Sequence, residues 1–332
     1  MVELRDGLLS IFRIDIAARI VKKTFLPKDY PATTYGHALR SWVIYQNIAL
    51  LRSQHNIVEE MRELFSYEYS WRIVSSFKSH AAAFYEPTYN QLFAKIRTGH
   101  LLHADETKVS IKGIRGYVWV FTNLEEVVYV HTGTREGKIL DQVLDEFEGV
   151  LISDFYAAYD SQSCPQQKCL IHLIRDINDD LFKNPFDEDL KKLSSEFTEI
   201  LVPMIETIDK YGLKKRHLNK HKKLVDRFQQ RVVNKEYSSE IARGYQKRFN
   251  KYKNKLFTFL SYDEVPWNNN NAENAVKRFV FLRKIIGGSS TEKGLKEYLI
   301  LLSIRETLRR KNVSFLQFLL TQKTNIDAFL KK

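Results

Sequence analysis

The sequence predicts an α/β fold, a sheet flanked by two helical regions, and three observations carry that prediction. From Leu101 to Thr132 the chain is rich in Val, Ile, Tyr, Phe and Thr, the composition of strands. Val150 to Ile152 is wholly apolar, as expected of a strand buried on both faces. Before Leu101 and after His172 the apolar residues instead recur at three- and four-residue intervals, the period of helices.

Taken in order, Leu39, Trp42, Val43 and Tyr45 set the helical period of a region that runs from about Tyr35 to Lys95. Within it, Ile57 to Phe65 reads as a helix, Ser66 to Ser70 as a turn and Trp71 to Ala83 as a second helix. That order suits a helix-turn-helix over 57–83, which would present Arg72, Ser75, Ser76 and Lys78 to a major groove; a plain packed hairpin has the same pattern. Three strands follow at Leu101–Ile111, Tyr117–Asn123 and Val127–Thr132, with connections short enough for an antiparallel meander. Ile139 to Phe147 then reads as a helix with Leu140, Val143, Leu144 and Phe147 on one face. Val150 to Ile152 forms the fourth strand, a short helix spans Tyr156 and Tyr159, and a fifth strand is expected at Lys168–Ile171.

The stretch from His172 to about Tyr262 is helical and densely basic between Lys210 and Lys255. Lys214, Lys215, Arg216, Lys220, Lys222 and Lys223 fit either a phosphate-tracking surface or a solvated helix face. The expected division is therefore a helical N-terminal region at 1–98, a catalytic α/β domain formed by 99–172 and 263–325, and an all-helical insertion at 173–262 between the fifth strand and a later helix that carries Glu273.

Composition narrows the partners. Lys and Arg outnumber Asp and Glu by 52 to 40, a formal charge of +12, which favours polyanions and makes nucleic acid the leading partner class. The two cysteines, Cys164 and Cys169, are too few for a disulfide framework and fit a reducing cytoplasm. The apolar stretch Leu8 to Val21 is interrupted by Arg13, Asp15 and Arg19, so it reads as neither a signal peptide nor a membrane span.

The candidate chemistry lies in three acids. Asp154 directly follows the central apolar strand, and sites of open α/β sheets lie beyond the carboxyl ends of parallel strands. In the first strand, Asp105 shares a face with Leu101, Val109 and Ile111, whereas Glu106 shares its face with Lys108, Ser110 and Lys112. Parity therefore expects Asp105 to point inward and Glu106 to face water. An inward carboxylate is costly unless paired or bound to metal, and magnesium is satisfied by a few carboxylates from separate elements. The third is Glu273, in the first turn of a helix opened by the asparagine run 268–271 and followed by Lys277, Arg278, Arg283 and Lys284. Any one of these acids alone fits an ion pair or a helix cap. It is their joint placement that points to metal-dependent chemistry on a phosphate.

His103-Ala104-Asp105-Glu106-Thr107, then Gly149 to Asp154 with Tyr156 and Tyr159, then Cys169-Leu170-Ile171-His172 and Asn269-Asn270-Asn271-Ala272-Glu273 together resemble the transposases of the insertion sequence 66 family from about Gly36 to Leu320. The resemblance implies an RNase H-like mixed sheet and a DDE triad of Asp105, Asp154 and Glu273 holding two Mg2+ or Mn2+ ions. It implies cleavage of double-stranded DNA at transposon ends and joining to target DNA, with a homodimer holding two ends, in the cytoplasm of a bacterial or archaeal cell. DNA contacts are expected from Arg135, Lys277, Arg278, Arg283, Lys284, Asn269 and Asn270.

The chain departs from the family pattern at Asn268, where Asp is usual, and at Asn274, where Arg is usual; it also has no cysteine-rich region before Leu101. Cys169 and His172 are expected as an accessory strand-end pair, with His172 touching DNA or Asp154. Structural zinc would need Cys164 and His103 as well. An RNase H-like nuclease that cuts without joining, and a silent transposase-derived DNA-binding protein, are the alternative functions.

Overall fold

The computed structural model describes residues 35–286 and 291–331. The Leu8–Val21 stretch lies outside them. The N-terminal region is helical as expected: α1 (His37–Ile48), α2 (Gln54–Phe65), α3 (Trp71–Phe84) and α4 (Glu86–Arg97). Ser53 caps α2 through Asn56 N–H, and Ser70 caps α3 through Arg72 N–H, which places the turn between the two helices where the serines predict it.

The sheet has five strands, β1 (Leu101–Ile111), β2 (Ile114–Thr122), β3 (Val127–Thr132), β4 (Val150–Ser153) and β5 (Gln166–Lys168), in the order β3-β2-β1-β4-β5. The first three form the expected antiparallel meander, while β4 and β5 run parallel to β1 and to each other. β2 begins earlier than its composition suggests because Lys112 and Gly113 both take positive φ, 49° and 84°, the two-residue turn that suits a hairpin. Gly116 consequently lies inside β2, where any Cβ would meet the His131 ring at 2.7 Å.

Helix α5 (Lys138–Leu144) stops short of Phe147, and Ala157–Tyr159 is a single 3-10 turn. The fifth strand requires correction: it ends at Lys168, and residues from Leu170 onward belong to α6 (Leu170–Lys183). The cause lies in the spacing of Leu170, Leu173 and Ile177, which is helical and buries one face, so packing outweighs the β-branched Ile171.

Four further helices follow, α7 (Glu188–Tyr211), α8 (Lys215–Leu218), α9 (Lys222–Asn234) and α10 (Glu240–Lys251); then come α11 (Asn270–Ile286), α12 (Glu292–Arg310), α13 (Phe315–Thr321) and α14 (Ile326–Leu330). Two hydrophobic clusters meet at the sheet. Leu101, Val150 and Ile152 belong to the cluster of α6 to α10, whereas Leu102, Ala104 and Leu151 belong to the one shared by α1 to α5 and α11 to α14. Helix α12 closes the outer edge of the sheet, since Thr307 and Ser303 hydroxyls accept the β3 N–H groups of Val127 and Tyr129, each at 3.0 Å. Among the described residues no helix is long and apolar enough to cross a membrane.

Candidate functional site

Asp105 and Asp154 each stand two residues beyond the same register pair, His103 opposite Ile152 in the parallel β1–β4 ladder. Adjacent strands lie about 4.8 Å apart, so these two acids emerge side by side just beyond the parallel ladder, Asp154 past the end of β4 and Asp105 within the longer β1. Each is fixed by its own backbone: Asp105 Oδ1 accepts Glu106 N–H at 2.8 Å, and Asp154 Oδ1 accepts Tyr156 N–H at 2.9 Å. Burial, followed by the charges of Glu106, Asp154 and Glu273, pushes the Asp105 carboxyl up to about 7. Glu273, in the first turn of α11, thus joins the same electrostatic cluster.

Asn269 sets where that turn begins. Its side chain is fully enclosed, with Oδ1 accepting from His103 Nδ1 at 3.0 Å and Nδ2 donating to Ala104 O at 2.9 Å. Its backbone N–H donates to Cys169 Sγ at 3.2 Å, and its carbonyl accepts Glu273 N–H at 3.1 Å. One residue therefore ties β1, the start of α6 and the start of α11 together. This corrects its expected role as a DNA contact, because an amide with no exposed surface cannot meet DNA. Burial also pushes His103 down to about 4, so its ring is neutral at Asn269.

Residues 32–297 match the transposase IS66 family. The chain belongs to that family. No individual curated protein matches it.

In this IS66-family chain the neighbour of Asp105 behaves unlike the sequence expectation. Glu106 does not face water: its side chain is 3% exposed, ion-paired with Arg135 and accepting the Tyr159 hydroxyl at 2.7 Å. The alternation of β1 is intact, but the second face is covered by Tyr159 and Trp119 rather than by solvent. Arg135, expected to meet phosphate, donates its Nε–H to Glu106 at 2.9 Å and lies 3.7 Å from the Tyr156 ring centroid, leaving its side chain 42% exposed.

The remaining cations divide. Lys277, one turn beyond Glu273, and Lys284 are exposed; Asn270 is also exposed and takes the Asn268 side-chain oxygen on its N–H. Arg283 donates to the Lys108 carbonyl. Arg278, expected on DNA, donates to the Ala49 carbonyl at 2.9 Å and lies 3.5 Å from Glu306, so it braces the N-terminal helices. In α3, Lys78 is likewise taken up by the Gly294 carbonyl at 2.9 Å, whereas Arg72 and Ser76 remain exposed.

Cys169 and His172 come to Glu273: one ligand atom of each lies within 4.8 Å of the others. His172 Nδ1 stands 3.7 Å from Glu273 Oε1, too long for a hydrogen bond, and both atoms are buried without a partner. Among the described residues no lysine or arginine forms an ion pair with Asp105, Asp154 or Glu273. The charges of Asp154 and Glu273 reach Asp105, and Glu273 carries an orphaned buried oxygen. Among the described residues the ligand atoms of the three acids are not all within 4.8 Å of one another, and a divalent cation suits such a set once its members draw together.

Proposed function

We propose that the chain is a DDE transposase that cleaves double-stranded DNA at the ends of an insertion sequence and joins them to target DNA. The observation that carries this reading is the set of like charges where the parallel β1–β4 ladder ends, with which no lysine or arginine of the described residues forms an ion pair. Among the described residues Glu106, Glu126 and Glu306 have buried side chains and are each paired with a lysine or arginine, so an unpaired set calls for a partner from outside the chain. The strand order and the change from antiparallel to parallel at β1 support an RNase H-like catalytic domain, with 173–262 as a helical insertion.

Two Mg2+ or Mn2+ ions, when bound, supply the Lewis acidity for in-line attack on phosphorus by water or by a DNA 3′-hydroxyl. Asp105, which feels the charges of both other acids, would hold the ions jointly with Asp154 and Glu273. Asn269 keeps the first turn of α11 against β1 so that Glu273 approaches without a conformational search. Lys277 and Lys284 steady the DNA backbone, and the exposed part of Arg135 does so next to Tyr156. A homodimer would hold two ends at once.

The test is a cleavage and joining assay on duplex DNA carrying the element's ends, with Mg2+ and with Asp154→Asn alongside the wild type. The wild type should cut and join; the variant should bind DNA and cut at least about a thousandfold more slowly. Cutting without joining would favour the nuclease reading, and undiminished cutting by the variant would remove Asp154 from the chemistry.

A further inference from the structure

The group formed by Cys169, His172 and Glu273 differs in kind from the acid cluster beside it. It offers a sulfur, an imidazole nitrogen and a carboxylate oxygen, all within 4.8 Å of one another. Tetrahedral zinc bound to such a set has ligand atoms about 3.3 to 3.6 Å apart, so a closure of about 1 Å would complete three of its four positions. Two of the three donors are already stripped of water and unsatisfied: His172 Nδ1 and Glu273 Oε1 are buried without hydrogen-bond partners. The third, Cys169, is wholly enclosed at the start of α6, and its sulfur accepts the Asn269 N–H at 3.2 Å, with the backbone N–H groups of Ile171 and His172 also directed at it.

The backbone already holds the three in place. Cys169 and His172 are one helical turn apart at the N-terminus of α6, and Leu170 N–H donates to the Trp267 carbonyl at 3.0 Å, which joins that turn to the segment leading into α11. His172 is the most exposed member, with 30% of its side chain accessible, and so marks the side from which an ion would enter.

We propose that Cys169, His172 and Glu273 form a second cation site, selective for soft divalent ions of the Zn2+ class. Magnesium has little affinity for thiolate and imidazole, whereas zinc takes both readily. Binding releases the thiol proton of Cys169, which burial otherwise holds on the sulfur. Because Glu273 belongs to both sets, zinc at the second site withdraws it from the Asp105–Asp154 pair. The regulatory consequence, inhibition of Mg2+-dependent cleavage by Zn2+, rests on the function proposed above; the site itself does not.

The experiment titrates the full chain with Co2+ as a spectroscopic stand-in and follows thiolate-to-cobalt charge-transfer absorption. The wild type should develop the band at one equivalent of Co2+ and lose it to equimolar Zn2+. Asp105→Asn, Asp154→Asn and Cys164→Ser should keep the band, Cys169→Ser should abolish it, and His172→Ala and Glu273→Gln should each weaken Co2+ binding by about tenfold or more. No band in the wild type, or a band that survives Cys169→Ser, overturns the site; His172→Ala, on a partly exposed helix face, guards against loss of fold in the cysteine variant. A band that follows Cys169 alongside full cleavage by Asp154→Asn would leave the zinc site standing and sink the transposase chemistry. Loss of cleavage without a band would do the reverse.

Discussion

Asp105 and Glu106 are consecutive residues of one strand, yet the two faces of the sheet treat them in opposite ways. On one face Glu106 is enclosed and answered by Arg135 and the Tyr159 hydroxyl, a self-contained pair. On the other, burial and the charges of Glu106, Asp154 and Glu273 drive the Asp105 carboxyl up to about 7, and no lysine or arginine of the described residues pairs with it. Burial alone does not separate structure from function here, since both carboxylates are largely removed from water. What separates them is whether the protein itself supplies the opposite charge.

The sharpest way to break this comparison is to neutralise each acid in turn. Glu106→Ala should lower stability by about 2 kcal/mol, at the reduced end for a broken pair because Arg135 is 42% exposed and can turn to water. Asp105→Asn should instead raise the melting temperature of the metal-free protein at about pH 8, by removing a repelled charge, while abolishing cleavage. Thermal melts of the two variants without metal check the contrast, and equal destabilisation by both would erase it.

A second effect follows from the sign of the Asp105 shift. A carboxyl raised from its ordinary value of 3.8 to about 7 contributes stability that is complete below about pH 4 and is lost as pH rises through about 7. Above that point the ionised acid is held at a cost that a bound cation removes. Mg2+ should therefore raise the melting temperature more at about pH 8 than at about pH 6, measured in parallel titrations. A smaller effect separates the two adjacent cations of α11. Lys277→Ala should reduce the salt slope of DNA binding by about 1, whereas Arg278→Ala should leave that slope alone and lower stability, because its guanidinium is spent on Ala49 and Glu306.

Period and composition were enough to place β1, the antiparallel meander, the apolar β4 and the helices to either side. The short elements were harder. β5 is three residues long, and the strand-forming character of Ile171 concealed the helical spacing of Leu170, Leu173 and Ile177. The acids of the candidate site stood out because strand ends and helix first turns are visible in sequence. Partners distant in sequence are not. Parity correctly separated Asp105 from Glu106 but could not foresee Arg135 and Tyr159 arriving from 29 and 53 residues away to cover the second face. Asn269 misled for the same reason: an asparagine before a helix reads as a cap or a contact, and its burial against His103 depends on β1, 166 residues earlier.

Whether the three acids share metal is tested most directly by Mn2+ located through its anomalous scattering in a crystal of the full chain. Anomalous peaks lying between the carboxylates of Asp105, Asp154 and Glu273, and absent in Asp105→Asn, are the predicted result. Manganese bound elsewhere, or seated on a single one of these acids in the wild type, would contradict it.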